Sequence, residues 1–142
     1  MEKKRIHMLL NKKDNTFGKA ERLCSEKRIG ALFTSSSSFI AYPLRVVYLL
    51  REPETEPQVS VLITVPKKKF KRAVKRNRIK RLIREAYRLN KSSYIELSEA
   101  LNKSVDIAFL YLDTELPGYE DIEKAVLKAS VLLKDKLSVE TE

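Results

Sequence analysis

Val59 to Leu89 reads VSVLITVPKKKFKRAVKRNRIKRLIREAYRL. Five of its first seven residues are apolar and the stretch is rich in β-branched side chains, which predicts a strand over Val59 to Val65. Pro66 cannot extend a strand ladder, and beyond it the period changes. From Ala73 to Leu89 the apolar residues Ile79, Leu82, Ile83, Ala86 and Leu89 recur every three or four positions, while Arg76, Lys80, Arg84 and Arg88 form an i, i+4 stripe. A strand therefore runs through a lysine-rich connection into an amphipathic basic helix, for which Asn90 to Ser93 supplies an end.

Outward from this unit, Leu44 to Leu50 (LRVVYLL) and Val105 to Leu112 (VDIAFLYL) also have strand composition. The first pairs naturally with Val59 to Val65 through an exposed loop, Glu52 to Pro57, where Pro53 and Pro57 cannot donate ladder hydrogen bonds. Ser25 is a helix cap for Glu26 to Phe33, because Ile29, Leu32 and Phe33 share one face, and Thr34 to Ser38 ends that helix. Tyr94 to Leu101 adds a helical turn or two. After the break at Pro117 and Gly118, Ile122, Val126, Ala129, Leu133 and Leu137 mark a final amphipathic helix. The expected fold is α+β, an α/β sandwich with a small mixed sheet of three or four strands and helices on one face. The expected organisation is a flexible arm over 1–20, a single domain over 21–137, and a frayed tail over 138–142.

Charge separates the parts further. The 142 residues carry 29 Lys plus Arg against 19 Asp plus Glu, a net charge of +10. Between Lys67 and Lys91 lie 13 cations and one acid, Glu85, so those 25 residues hold +12 and the remainder −2. Excess charge confined in this way is a local surface for a polyanion. Ser92 to Glu142, with 5 basic and 11 acidic residues, faces water. The length supports one core and excludes a large multidomain enzyme. No apolar run reaches the roughly 20 residues of a membrane span, and MEKKRIHMLLNKK has too short an apolar stretch for a secretory signal, so the chain reads as cytoplasmic with no membrane partner. One cysteine, Cys24, and one histidine, His7, offer neither a disulfide nor an ordinary zinc site.

A basic stripe is often only a solvated helix face, but here the acids that would neutralise it are missing. Five arginines crowd into Arg76 to Arg88, which costs repulsion unless phosphates compensate. Guanidinium forks take phosphate oxygens bidentately, and Asn77 offers donor and acceptor to a base edge or a 2′-hydroxyl. A DNA major groove is disfavoured because a strand and Pro66 stand where a helix-turn-helix needs its first helix.

These residues resemble a known family. Ala73 to Glu85, AVKRNRIKRLIRE, is similar to the RNR signature of the bacterial ribonuclease P protein subunit, and Val65-Pro66-Lys67-Lys68 resembles that family's strand end and lysine pair. The resemblance implies a domain similar to domain 2 of ribosomal protein S5, with the RNR helix in a left-handed βαβ crossover. It implies binding of the catalytic ribonuclease P RNA through Arg76, Asn77, Arg78, Lys80, Arg81 and Arg84, with Lys67, Lys68 and Arg72 beside them. It further implies that the 5′ leader of precursor tRNA lies in a cleft between the first helix and the sheet, with Phe33 and Tyr48 as stacking platforms. Core packing is the competing role for both rings. Ile29 stands where the family commonly has another aromatic, and no glycine follows the helix within Thr34 to Ser38.

Under this resemblance the chain is a subunit of an endoribonuclease whose chemistry belongs to RNA and Mg²⁺, with no cofactor of its own and no DNA partner. The residues agree that no catalytic group is present, since the acids are scattered and the one His sits in the arm. Asp106, Asp113 and Glu115 read as solvated loop residues rather than metal ligands. Tyr42, Tyr87, Tyr94, Tyr111 and Tyr119 read as packing or rim residues. The alternatives are a general RNA-binding module of ribosomal type and, behind it, a DNA-binding regulator.

Overall fold

The computed structural model of the chain describes residues 21–35, 37–53 and 57–141. The expected arm over 1–20 lies outside them, as do 54–56 of the expected loop and residue 142. In chain order the elements are α1 (Glu26–Ser35), β1 (Ser37–Ala41), β2 (Leu44–Arg51), β3 (Val59–Thr64), α2 (Ala73–Leu101), β4 (Ser104–Tyr111) and α3 (Tyr119–Thr141).

The four strands form one sheet in the order β1-β2-β4-β3. β1 and β2 make an antiparallel hairpin around Tyr42 and Pro43, and β4 pairs antiparallel with β2, Val46 opposite Phe109. β3 lies parallel to β4, Val61 opposite Ile107, so α2 is the crossover between adjacent parallel strands. The sequence places β3 beside β2, whereas β4 inserts between them. β1 itself is unforeseen: Ser37 and Ser38 have no strand signal, and the pairing partner supplies what propensity does not.

Helices cover both faces of the sheet, not one. Even positions of β2 (Leu44, Val46, Tyr48) and odd positions of β4 (Val105, Ile107, Phe109) meet Ile79, Ile83, Ile122, Val126 and Leu133 from α2 and α3. The opposite parity, Val47 and Ala108, packs with Leu23 and Leu32, with Ile29, Leu49, Leu62 and Leu110 against them, so α1 sits on the other side. A strand apolar on both faces demands a layer on each, and LRVVYLL and VDIAFLYL are apolar on both.

α2 is longer than its periodicity alone marks. The expected end at Asn90 is an interior kink with φ −120° and ψ 15°, where the Asn90 amide donates to Ala86 O at 2.8 Å and to Glu123 Oε2 at 3.3 Å. The helix continues because Tyr94 and Leu97 keep its buried face in register, with the Tyr94 hydroxyl donating to Val126 O at 2.6 Å. It ends at Asn102, whose left-handed backbone (φ 53°) is one that asparagine tolerates. Tyr87, Tyr94 and Phe109 form an aromatic cluster with centroids 5.3 to 6.2 Å apart. α3 runs through Thr141, so the backbone of 138–141, expected to fray, is helical.

Candidate nucleic-acid interface

The start of α2 is held by its own side chains. Lys69 and Phe70 close a turn on Pro66 O, and the Phe70 ring is buried 5.9 Å from that of Tyr111. Arg76 Nη1 donates to Phe70 O at 2.7 Å and Lys71 O at 2.8 Å, and the Lys69 ammonium bonds to Leu112 O. Of the residues expected to bind RNA, Arg76 is thus half-buried, and its guanidinium braces the approach to the helix.

The others point outward. Lys67 and Lys68 stand on the exposed turn, Arg72 at the helix cap, and Asn77, Arg78, Arg81 and Arg84 are exposed, with Lys80 half-buried. At about 100° per residue, Asn77, Arg81, Arg84 and Arg88 fall within roughly 60° of arc, flanked by Lys80 and, farther round, Arg78. Arg88 is neutralised by Glu85 at 2.5 Å, and that hydrogen bond holds the Glu85 carboxyl below its usual range. Among the described residues, no ion pair engages Lys67, Lys68, Arg72, Arg78, Lys80, Arg81 or Arg84. The first turn of α2 holds no acid, and Arg72 makes no side-chain cap, so cations surround the positive end of a helix dipole. That costs free energy until an anion arrives.

On the other face, α1 packs on the sheet along an apolar contact, with Leu32 buried against Val47 and Ala108 and with Ile29, Leu49, Leu62 and Leu110 beside them, while Phe33 of α1 is 46 % and Ile40 of β1 59 % exposed. One end is pinned by Asp106, a 1 % exposed carboxylate on β4 that accepts from Arg28 of α1 (2.5 and 3.2 Å) and from Arg51 of β2 (3.1 and 3.2 Å). Asp106 is therefore not the solvated residue the sequence suggests. Two guanidiniums on one carboxylate leave a net positive charge there. The signal was present in hindsight, since a lone acid within a doubly apolar strand needs partners.

Phe33 and Tyr48 are not brought together. Tyr48 is 4 % exposed and on the α2/α3 side, with its ring 5.9 Å from Phe39, so the expectation that it contacts a leader is corrected: a ring packed in the core offers no face to a nucleotide. Asp113 accepts from the Thr114 N–H at 2.7 Å and the Glu115 N–H at 3.4 Å, and the Thr114 bond does most to hold its carboxyl below the usual range. No group of three or more His, Cys, Asp or Glu among the described residues could hold a metal ion.

The family model for Ribonuclease P matches residues 17–131. The ribonuclease P protein component of Porphyromonas gingivalis is 43 % identical over 118 residues, covering 82 % of this chain and 86 % of that protein. That of Chlorobium phaeobacteroides is 34 % identical over 122 residues, covering 79 % and 84 %. Among solved structures, the Staphylococcus aureus RNase P protein superposes with a TM-score of 0.61 at 22 % identity, covering 81 % of this chain and 95 % of that one. The Thermotoga maritima protein gives 0.60 at 21 %, covering 77 % and 94 %. At these identities the structural likeness speaks for the fold.

Proposed function

The chain belongs to the ribonuclease P protein family, subunits of a ribonucleoprotein endonuclease of tRNA 5′ processing, and from that premise we propose how its surface is divided between two RNAs. The observation that carries the reading is the outward set of cations on α2, Arg78, Lys80, Arg81 and Arg84, which no ion pair engages among the described residues and which joins the lysine turn at a positive helix end. It takes the catalytic RNA. Asn77, Arg78, Lys80, Arg81 and Arg84 contact phosphates and sugar or base edges, with Lys67, Lys68 and Arg72 at the helix entrance, while Arg76 orients them.

The α1 face of the sheet takes the single-stranded 5′ leader of precursor tRNA. Phe33 offers a half-open ring for stacking, and the Arg28-Asp106-Arg51 cluster supplies positive potential at one end. The chain raises affinity and positions substrate, and the cutting, with the Mg²⁺ it needs, resides on the RNA. Duplex DNA is not the partner, since a strand and a lysine turn precede α2 instead of a second short helix. No helix among the described residues is long and apolar enough to cross a membrane, and the reading places the chain with its RNAs in the cytoplasm.

Salt-dependent binding tests this. Replacing Arg81 and Arg84 with Ala is expected to weaken binding to the ribonuclease P RNA and flatten the slope of log K against log salt by about 0.7 to 0.9 per lost phosphate contact. An unchanged slope removes these residues from the interface. Binding no tighter than to unrelated structured RNA, with no enhancement of precursor cleavage, would favour a general RNA-binding module.

A further inference from the structure

Beneath the lysine turn, at the tip of the β1-β2 hairpin, lies a groove of about 340 Å³ that neither RNA surface above uses. Tyr42 lines it and is 64 % exposed. Pro43, Leu116 and Pro117 add apolar surface to the lining, and Leu116 is itself exposed. Asp113, Glu115 and Asp121 line the groove, with Lys124 beside them. Tyr111 also lines it, its ring tilted against that of Phe70 at 5.9 Å, and Lys69 of the turn bonds to Leu112 O, one residue before Asp113. The groove thus adjoins the entrance of α2.

We infer that it captures one unpaired nucleobase bearing an exocyclic amine (adenine, cytosine or guanine) from RNA seated along α2. The volume suits a single small ligand. An exposed tyrosine beside proline and leucine gives any base an aromatic and apolar surface to stack on, and carboxylates accept hydrogen bonds from amino groups but not from the carbonyl edge of uracil. Asp113 retains acceptor capacity beyond its two backbone bonds, both of which fall on Oδ1. The three carboxylates repel phosphate, so the base enters first while its backbone stays near Lys124 and Lys69. A cation is the other ligand that an acidic aromatic groove could take. The position beside a polycationic surface favours the base, because that surface repels cations and draws RNA.

The inference rests on α2 lying against RNA, but its first test does not. The isotope-labelled chain is titrated with AMP, CMP, GMP, UMP and spermidine and followed by amide NMR. The expected result is saturable shifts at Tyr42, Thr114 and Glu115 with the three amino-bearing nucleotides and at least several-fold weaker binding of UMP. No shifts, equal shifts with UMP, or shifts with spermidine alone overturn it. In the second test Tyr42→Ala is measured in two arms, the free ribonuclease P RNA and precursor tRNA on the assembled holoenzyme. A loss of about 5- to 100-fold in one arm identifies the RNA that supplies the base, and Tyr42→Phe stays within about twofold of the parent. Wild-type affinity in both arms, or a loss with Phe equal to that with Ala, overturns the stacking role. The thermal midpoint of Tyr42→Ala checks that the fold is intact.

Discussion

Phe33 and Tyr48 are both aromatic, both preceded by apolar residues, and read alike in a one-dimensional chain. In the fold Phe33 rides the outer part of α1 with its ring half open, whereas Tyr48 holds an even position of β2 and sends its ring under α2 and α3. Phe33→Ala is accordingly expected to lose about 1 to 3 kcal/mol of affinity for leader-bearing precursor while mature tRNA binding holds. Tyr48→Ala is expected to cost about 3 to 5 kcal/mol of stability. Chemical denaturation alongside precursor binding separates the two, and a Phe33 variant that loses stability without losing leader discrimination would return that ring to the core. The sequence could not assign these roles, because β2 is apolar on both faces and parity alone does not say which face is covered by which layer. Asp106 was hidden for the same reason: its partners Arg28 and Arg51 lie 78 and 55 residues away in sequence.

At the scale of elements, the strand-to-helix switch at Pro66, the basic face of α2 and the amphipathic course of α3 were legible, because local periodicity encodes them. The order of strands and the kink were not. An Asn-Lys-Ser-Ser run is ordinary helix-ending chemistry, and only the contacts of Tyr94 and Asn90 with α3 carry the helix onward. Besides its apolar contact with the sheet, α1 is tied by a charged cross-element device, the carboxylate of β4 between the arginines of α1 and β2. Asp106→Asn keeps the shape and removes the charge. The guanidiniums are one-quarter to one-third open to water, so the cost is expected below the range for a fully buried pair, roughly 2 to 4 kcal/mol. Urea unfolding measures it, and a change under about 0.5 kcal/mol would show that apolar packing alone seats α1.

Across the described residues, cations concentrate on α2 and its entrance while the core is tied by phenols. Burial pushes Tyr111 up to about 12, and burial raises Tyr87 and Tyr94 well above the usual phenol range. For these groups the native state favours the protonated form. Their contribution is therefore complete below the unfolded value of about 10 and is lost as pH climbs from there through 12. Alkaline titration by phenolate absorbance is expected to show Tyr87 and Tyr94 ionising only together with loss of the fold. Their smooth titration in a still-folded chain would contradict the packing described.

The connection between β3 and α2 is fixed from three directions, by Arg76 on its carbonyls, by Lys69 on β4's exit, and by Phe70 against Tyr111. Ordering a backbone costs about 1 to 2 kcal/mol per residue, and here that cost is met when the chain folds and not when a partner arrives. On the proposed reading, complex formation is then expected to pass from encounter to seating without a rearrangement between them, at a rate that falls with added salt as the pull of the exposed cations is screened.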